Sequence, residues 1–358
     1  FRTNGLYLFL ALIFYSAGFW NGGIIMLKNL TLSILIVALI FSLGVSAYAK
    51  WGESRKGDLE GYIRGVSFID ENKGWAVGDG GTVLSTSNGG VKWDSKIVEE
   101  IKDTDLYTDL YDVHFIDEKN GWACGDMLKG AGVIIHTKDG GKTWDRQSSG
   151  LAVAFYGIFF LDAKNGWAAG ANGTLLVTQS SGSKWTPLVQ GKANAAIGEG
   201  SPGFWDVQFL TLQKGWTVGE NGTIKMTVDG GKTWVAQNSG TDSNLSAVKF
   251  VNENAGWVVG EGGAIVATTD GGKTWTAQKS GLSEEWFYGV DFISDQEGFV
   301  VGDYAAILHT TDGGKTWKIE RTGKTKGVGK VTFYDVSFPK PNVAFSVAQW
   351  GEILKYTP

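Results

Sequence analysis

The chain has 358 residues, a formal net charge of −5 and 19% charged residues. Its 53 Gly, 16 Trp and 5 Pro exclude a disordered, collagen-like or proline-rich protein. One Cys and three His exclude a disulfide scaffold and a Cys-based zinc site, and the acidic balance disfavours nucleic acid as a partner.

Two apolar segments come first in the chain. Residues 26–49 contain Met26, an apolar run and Ala47-Tyr48-Ala49, in the order of a secretory signal peptide. An uncleaved membrane anchor is the alternative, because the apolar run is near spanning length. We interpret residues 1–25 as a leader from a gene start placed too far upstream, with an extra apolar helix as the alternative. We therefore expect an exported protein whose mature part is 50–358.

From Tyr62 onward one pattern recurs: a short apolar strand, GW-x-x-G, a second apolar strand and T-x-DGGKTW. Its segments are rich in Val, Phe, Ile, Trp and Thr and are separated by Gly, Asn and Asp, which predicts short strands and turns rather than helices. Four short strands in a repeat of about 41–51 residues are typical of a propeller blade. The centres of the seven repeats are Trp75, Trp122, Trp167, Trp216, Trp257, Phe299 and Phe345. The predicted fold is an all-β, seven-bladed β-propeller with four-stranded blades.

Closure of the ring is predicted at the N-terminus of the mature part. The seventh repeat lacks a fourth strand before the end of the chain, whereas Lys50-Trp51 precedes the first repeat much as Trp317 precedes the last. We expect the strand around Trp51 to complete the last blade. Such closure removes exposed sheet edges.

The T-x-DGGKTW segments predict a tight hairpin between the third and fourth strands. The Asp carboxylate would accept hydrogen bonds from the turn and from the Thr hydroxyl, and the Trp ring would be buried between blades. Complete copies are Asp139–Trp144, Asp229–Trp234, Asp270–Trp275 and Asp312–Trp317, and degenerate copies are Asn88–Trp93 and Ser180–Trp185.

These turns resemble Asp-box (BNR) repeats, and the arrangement GWAVG-x-x-G-T-x-x-x-T-x-DGGKTW is most similar to the photosystem II assembly/stability factor propellers. The resemblance covers about residues 50–358. It implies a non-enzymatic protein that assists assembly of a reaction-centre subunit, in a periplasm, in a thylakoid lumen or at a cell surface.

Residues for catalysis are sparse. A sialidase needs a convergent Arg triad, but the exported part contains only Arg55, Arg64, Arg146 and Arg321. Cys124 takes the place of Ala or Val in other repeats, which indicates a buried apolar role. We expect no catalytic residue, no metal, no cofactor and no small-molecule substrate.

Two repeat positions are predicted to meet around one end of the channel, where the second-to-third-strand loops and the blade connections lie. The first, two residues before the Val of the first strand, is mostly aromatic: Arg64, Tyr111, Tyr156, Trp205, Ser246, Tyr288 and Tyr334. The second, directly after GW-x-x-G, is mostly acidic: Asp79, Asp126, Ala171, Glu220, Glu261, Asp303 and Gln349.

An aromatic ring beside an acidic ring would suit a peptide or protein segment of basic or amphipathic character. The alternative is structural: the acids cap turns and the aromatics pack between blades. The sequence thus favours a monomeric, protein-binding assembly or stability factor for a membrane or extracytoplasmic complex. A cell-surface glycan-binding or glycoside hydrolase-type BNR protein stays the alternative.

Overall fold

The fold is seen in a computed structural model that describes residues 50–57, 59, 61–98, 108–127, 131–188, 202–323 and 331–357. The predicted leader at 1–25 and signal peptide at 26–49 lie outside these residues. Among the helices of the described part, none is long and apolar enough to cross a membrane.

Strands account for nearly all the regular structure of the described residues, and they follow one another in groups of four. A single strand, β1 (Lys50–Arg55), precedes the groups. The next three groups are β2 (Ile63–Phe68), β3 (Gly74–Gly78), β4 (Thr82–Thr86), β5 (Asp94–Ile97), β6 (Thr108–Phe115), β7 (Gly121–Met127), β8 (Ala131–Thr137), β9 (Asp145–Gln147), β10 (Phe155–Phe160), β11 (Gly166–Gly170), β12 (Thr174–Thr178) and β13 (Thr186–Pro187).

The second half of the chain continues the same order. Its strands are β14 (Phe204–Phe209), β15 (Gly215–Gly219), β16 (Ile224–Thr227), β17 (Val235–Gln237), β18 (Leu245–Phe250), β19 (Gly256–Gly260), β20 (Ile265–Thr268), β21 (Thr276–Ala277), β22 (Phe287–Phe292), β23 (Gly298–Gly302), β24 (Ile307–Thr310), β25 (Lys318–Arg321), β26 (Phe333–Lys340), β27 (Val343–Ala348) and β28 (Ile353–Thr357). Short 3-10 turns link second and third strands at Asp79–Gly81, Ala171–Gly173, Glu261–Gly263 and Gln349–Gly351.

Each group of four strands forms one antiparallel sheet, and the sheets pack around a central channel with the first strand of each group innermost. We number the blades along the chain, from blade 1 (β2–β5) to blade 6 (β22–β25). Blade 7 has the order β26-β27-β28-β1, so the N-terminal strand supplies its outermost strand. Trp51 is paired with Tyr356 in this contact. The predicted seven-bladed, four-stranded propeller closed by its N-terminal strand is therefore confirmed.

The GW dipeptide of blades 1 to 5, replaced by Gly298-Phe299 in blade 6 and Ala344-Phe345 in blade 7, explains how neighbouring blades pack. A side chain on Gly74 would lie 2.5 Å from the ring of Phe68, so glycine is required for that ring to lie over the strand. The next residue, Trp75, stacks on Phe115 of the following blade with ring centroids 3.7 Å apart. The same stack joins Phe345 of blade 7 to Phe68 of blade 1, also at 3.7 Å. The repeated aromatic pairs thus form the core between blades.

The complete Asp-box turns share one hydrogen-bond network. In blade 6 the Thr310 hydroxyl donates to Asp312 Oδ1 at 2.9 Å and accepts from the backbone N–H of Gly314 at 2.8 Å. Asp312 also accepts from the N–H and the hydroxyl of Thr316. Nε1 of Trp317 donates to Gln278 of the preceding blade at 3.1 Å. The turn of blade 6 is therefore held both within its blade and to blade 5, as is that of blade 5 to blade 4 through Trp275 and Gln237 at 3.0 Å. In the boxes of blades 2 and 4, Nε1 of Trp144 and of Trp234 has no hydrogen-bond partner among the described residues.

Candidate functional site

The predicted aromatic position is marked by a β-bulge in every innermost strand. In blade 1 the pairing with β3 shifts between Ile63 and Gly65, so Arg64 is the extra residue. The corresponding shifts in the other blades fall at Tyr111, Tyr156, Trp205, Ser246, Tyr288 and Tyr334. A bulge leaves one residue unpaired and re-aims its side chain. All seven side chains are half-buried at one end of the channel, which we call the mouth.

Arg64 brings blades 1, 2 and 7 together at the mouth. Its guanidinium carbon lies 5.3 Å from the ring centroid of Tyr111, 5.4 Å from that of Tyr62 and 5.5 Å from that of Tyr334. Its Nε donates to Asp79 Oδ1 at 2.6 Å. A cation within about 6 Å of aromatic faces is attracted to them. Arg64 is therefore held by three rings and one carboxylate.

A chain of aromatic rings in contact with one another lines the other part of the mouth. Starting in blade 4, Trp205 contacts Trp286 at 5.4 Å, and Trp286 contacts Tyr288 at 5.6 Å. The chain continues from Tyr288 to Tyr334 at 5.6 Å and from Tyr334 to Tyr62 at 5.8 Å. Ring contacts thus run from blade 4 across blades 6 and 7 to blade 1, and we call this set the aromatic arc.

Blade 5 departs from the pattern in a way that keeps the aromatic arc continuous. It carries Ser246 at the bulge position, which leaves room beside Trp205. Nε1 of Trp286, from blade 6, donates to the Ser246 hydroxyl at 2.7 Å. The indole therefore reaches over blade 5 to contact Trp205. On the other side of the channel, Tyr111 and Tyr156 form a separate contact at 5.8 Å.

The predicted acidic position lies beside the aromatic position of the same blade. The Tyr111 hydroxyl donates to Asp126 at 2.9 Å, and the Tyr288 hydroxyl contacts Asp303 at 3.5 Å. Burial is the main cause that raises the pKa of both tyrosines, and each carboxylate adds to it. Glu220 accepts from the backbone N–H of Gly203 at 3.1 Å.

Two of the predicted residues, Glu261 and Tyr156, make fewer contacts with the rest of the mouth. Glu261 is exposed and accepts from the Asn244 side chain at 2.9 Å. Tyr156 has its ring contact only with Tyr111 among the described residues. The mouth is thus bordered by Asp79, Asp126, Glu220, Glu261 and Asp303, while Arg64 is the one bulge residue with a positive charge.

Three aromatic residues of the mouth were not predicted by the sequence analysis. Tyr62 and Trp286 each lie two residues before a predicted position, so strand alternation could have placed them on the same side. Trp350 is 52% exposed and contacts Tyr62 at 5.8 Å. Its φ is +62°, a conformation that Gly80, Asn172, Asn221, Gly262 and Tyr304 also adopt at this position of other blades. Such backbone strain in a bulky residue is a signal of function.

Further from the mouth, carboxylates join the innermost strands. Asp335 of blade 7 accepts from the N–H of Val66 in blade 1 at 2.9 Å, and Asp112 of blade 2 accepts from the N–H of Ile158 in blade 3 at 2.8 Å. Burial raises the pKa of Asp112 to about 7, and that of Asp335 well above its usual value. Among the described residues, no group of three or more His, Cys, Asp or Glu could hold a metal ion.

The mouth therefore offers stacked rings, a border of carboxylates and one cation. Planar rings suit planar or apolar side chains, and the carboxylates suit cations or hydrogen-bond donors. The Asp-box residues Asp139, Asp229, Asp270 and Asp312 belong to the other end of the blades, because their turns follow the third strands.

Among solved structures, a protein described as YCF48 bound to D1 peptide is similar with 24% identity and a TM-score of 0.68, over 87% of this chain and 98% of that one. YCF48 from Cyanidioschyzon merolae is similar with 21% identity and a TM-score of 0.68, over 87% of this chain and 99% of that one. A GH74 enzyme from Niastella koreensis has 13% identity and a TM-score of 0.65, over 85% of this chain and 53% of that one.

At these identities the structural likeness shows the fold alone. A search of the curated proteins finds no match. A family model described as Photosynthesis system II assembly factor YCF48 matches residues 45–151, 199–275 and 235–327, which together are more than half of the chain. The chain therefore belongs to the family of YCF48-type photosynthesis system II assembly factors.

Proposed function

We propose that this protein is a non-catalytic assembly factor that holds a peptide segment of a membrane-complex subunit at the mouth of the channel. The observation that carries the proposal is the aromatic arc, a continuous series of ring contacts that spans blades 4 to 1 and includes Trp205, Trp286, Tyr288, Tyr334 and Tyr62. Half-buried Trp and Tyr are the residues that most often dominate binding energies at protein interfaces.

The border of carboxylates indicates the character of the segment. Five acidic side chains surround the rings, and Asp79 of this border is already paired with Arg64. The remaining acidic groups favour a segment with Lys or Arg beside its apolar side chains, because opposite charges steer association and fix register. We expect a basic or amphipathic segment whose apolar side chains pack on the aromatic arc.

Family membership and a solved relative support the class of partner. The relative with 24% identity is described as bound to a D1 peptide, and it aligns over 87% of this chain. We therefore propose that the partner of this protein is a peptide segment of the same kind, from a subunit of a membrane complex.

The test is binding of a fluorescent D1 peptide, the probe peptide, to the wild type and to the triple variant Trp205→Ala, Tyr288→Ala, Tyr334→Ala. Removal of three aromatic anchors should weaken binding at least about 30-fold, since one hot-spot residue contributes 2 kcal/mol or more. Lys232→Ala is the matched control, because Lys232 is exposed in an Asp-box turn at the other end of the blades. Equal affinity of the wild type and a folded triple variant would contradict the proposal.

The same variants distinguish peptide binding from the alternative function, which is glycan binding or hydrolysis. We expect no binding of the wild type on a glycan array and no turnover of generic glycosides. A glycan signal that the triple variant abolishes would instead assign the aromatic arc to a sugar.

We also propose that the protein acts outside the cytoplasm, with residues 26–49 as the signal that directs export. The support is the order of Met26, an apolar run and Ala47-Tyr48-Ala49. N-terminal sequencing of the native protein should give a mature chain that begins near Lys50. A native chain that retains residues 1–25 would contradict the proposed gene start, and a cytoplasmic chain would contradict export.

A further inference from the structure

One carboxylate at the border of the mouth has hydrogen bonds unlike those of the others. Four of the five border acids accept a hydrogen bond from a side chain of the protein itself. The donors are Arg64 to Asp79, Tyr111 to Asp126, Asn244 to Glu261, and Thr332 to Asp303. The carboxylate of Glu220, in blade 4, accepts only from the backbone N–H of Gly203 and has no cationic partner among the described residues. Glu220 is half-buried.

Blade 1 shows what a carboxylate at this repeat position can hold. Asp79 Oδ2 accepts from the backbone N–H two residues before the bulge, at 3.1 Å. Glu220 Oε2 accepts from the corresponding N–H, that of Gly203, also at 3.1 Å. The second oxygen of Asp79, Oδ1, accepts from Arg64 Nε at 2.6 Å. Blade 4 has Trp205 at the bulge instead, so the second oxygen of Glu220, Oε1, has no such partner among the described residues.

Gly203 keeps the space beside this oxygen free of a side chain. A Cβ atom added to Gly203 would lie 3.3 Å from Glu220 Oε1 and 3.5 Å from Trp205 Nε1. The carboxylate and the indole therefore border the same space. Every other blade carries a side chain at this position: Tyr62, Asp109, Ala154, Asn244, Trp286 and Thr332.

The same space lies at an interruption in the rings of the mouth. The aromatic arc ends at Trp205, whose ring is stacked on one other ring of the described residues. The next bulge residue is Tyr156 of blade 3. Burial is the main cause that raises the pKa of Tyr156, and the charge of Glu220 adds to it, so the Glu220 carboxylate lies near both sides of the interruption. Blade 3 adds no acid there, because Ala171 stands at its border position.

We propose that Glu220 and Trp205 form a subsite for one arginine side chain of the bound peptide segment, an inference that rests on the function proposed above. The guanidinium pairs with Glu220 Oε1 and lies against the Trp205 ring, as Arg64 pairs with Asp79 and lies against tyrosine rings. Arginine is favoured over lysine, because its planar guanidinium stacks on aromatic rings and is more weakly hydrated than an ammonium.

A substitution scan of the probe peptide tests this subsite. Each position of the peptide is replaced in turn by Arg, Lys and Ala, and the affinities are measured for the wild type and for Glu220→Gln. At one position the wild type should bind the Arg peptide about tenfold more tightly than the Ala peptide, because a charge-assisted hydrogen bond is gained. Lys should be intermediate. Glu220→Gln should remove this preference, and the absence of any Arg preference that depends on Glu220 would overturn the proposal.

Further variants make the test specific. Glu220→Arg should reverse the preference, so that a peptide with Glu at the same position binds more tightly than the Arg peptide. Gly203→Ala keeps the charge of Glu220 but places a methyl group beside Oε1, so it should reduce the preference for Arg. Glu253→Gln is the matched control, because Glu253 is exposed at the Asp-box end of blade 5. An equal loss of preference in Glu253→Gln would overturn the assignment to Glu220.

The failure of this subsite is distinguishable from failure of the proposed function. If the triple variant Trp205→Ala, Tyr288→Ala, Tyr334→Ala binds the unmodified probe peptide as the wild type does, the mouth is not the binding site and both proposals are wrong. If the triple variant loses binding while Glu220→Gln keeps the full preference for Arg, the aromatic arc still binds the segment and only the subsite at Glu220 is wrong.

Discussion

The two ends of the blades use the repeat in opposite ways. At the Asp-box end, the Thr hydroxyl donates to the Asp carboxylate at 2.8, 2.8, 2.8 and 2.9 Å in the complete boxes of blades 2, 4, 5 and 6. At the mouth, one repeat position holds Arg, Tyr, Trp or Ser, and each makes different contacts. Uniform geometry indicates a role in the architecture, whereas variation on a constant backbone indicates recognition.

Aspartate shows the same contrast within one fold. In the Asp-box turns, several hydrogen bonds to the carboxylate lower the pKa of Asp139 and Asp229 to about 2. Between the innermost strands, burial raises the pKa of Asp112 to about 7 and that of Asp206 to about 6. The position in the blade, rather than the residue type, therefore determines how each carboxylate behaves.

The largest expected effect comes from the ring closure. Trp51 packs against Phe299 at 5.2 Å and Tyr356 at 5.6 Å. Trp51→Ala should lower the free energy of unfolding by about 2–4 kcal/mol, as is usual for loss of a large packed ring. Deletion of residues 50–57 should destabilise the protein further, since it exposes the edge of β28. Urea unfolding measures both.

Trp350→Ala is the control for ring closure, because Trp350 is half exposed. It should change the free energy of unfolding by less than about 0.5 kcal/mol. If Trp51→Ala were equally mild, the closing strand would not hold the ring together.

The second effect is a pH dependence of stability due to Asp112. Because its pKa is raised to about 7 in the folded protein, the folded state binds more protons than the unfolded state between about pH 4 and 7. The free energy of unfolding should therefore fall as the pH rises through this window. The contribution is on the order of 2 kcal/mol after allowing for solvent screening.

Asp112→Asn should flatten this slope, and unfolding curves in urea at several pH values would show it. Asp206 and Asp335 should contribute in the same direction, and Lys249, which lowers the pKa of Asp206, opposes them. Asp139→Asn is the control. The lowered pKa of Asp139 stabilises the fold above about pH 4, and this stabilisation is lost as the pH falls through 2, so the variant should keep the slope between pH 4 and 7. An unchanged slope in Asp112→Asn would contradict the assignment.

A smaller effect is expected within one Asp-box. Thr310→Val keeps the volume of a buried side chain but removes the hydroxyl that accepts from the N–H of Gly314. The free energy of unfolding should fall by about 1–2 kcal/mol, since a buried N–H loses its partner. Asp312→Ala should act in the same direction on one hairpin. In both variants the affinity for the probe peptide should stay at the wild-type value, and a loss of affinity would show that the two ends are coupled.

The smallest effect is the repair of the degenerate box in blade 3. Ser180→Asp supplies a carboxylate that can accept from the N–H of Lys184, which now donates to the Ser180 hydroxyl at 3.1 Å. Thermal unfolding should show a slight gain in stability, smaller than the loss in Thr310→Val. A loss of stability would mean that Ser180 is required by the packing of blades 2 and 3 rather than tolerated there.

Much of the fold could be predicted because the same sequence pattern recurs in each of the seven repeats. The GW dipeptides, the turns and the missing last strand led to the number of blades and to the closure at Trp51. The site was harder to predict. The sequence placed Arg64 and Tyr334 at the same repeat position around the mouth. It could not show that Trp286 extends across blade 5 to contact Trp205, because this contact depends on the small side chain of Ser246 in another blade. Trp350 was missed because its exposure depends on a backbone conformation with positive φ, which glycine adopts at this position in blades 1 and 5.

The most direct test of the account is where the probe peptide lies. A photo-crosslinking residue at Trp350, in the mouth, should capture the peptide, whereas the same residue at Val235, which is 62% exposed on the outer strand of blade 4, should not. Capture from Trp350 that the Trp205, Tyr288 and Tyr334 triple variant abolishes is the predicted result. Equal capture from both positions, or capture from Val235 alone, would contradict the assignment of the mouth as the binding site.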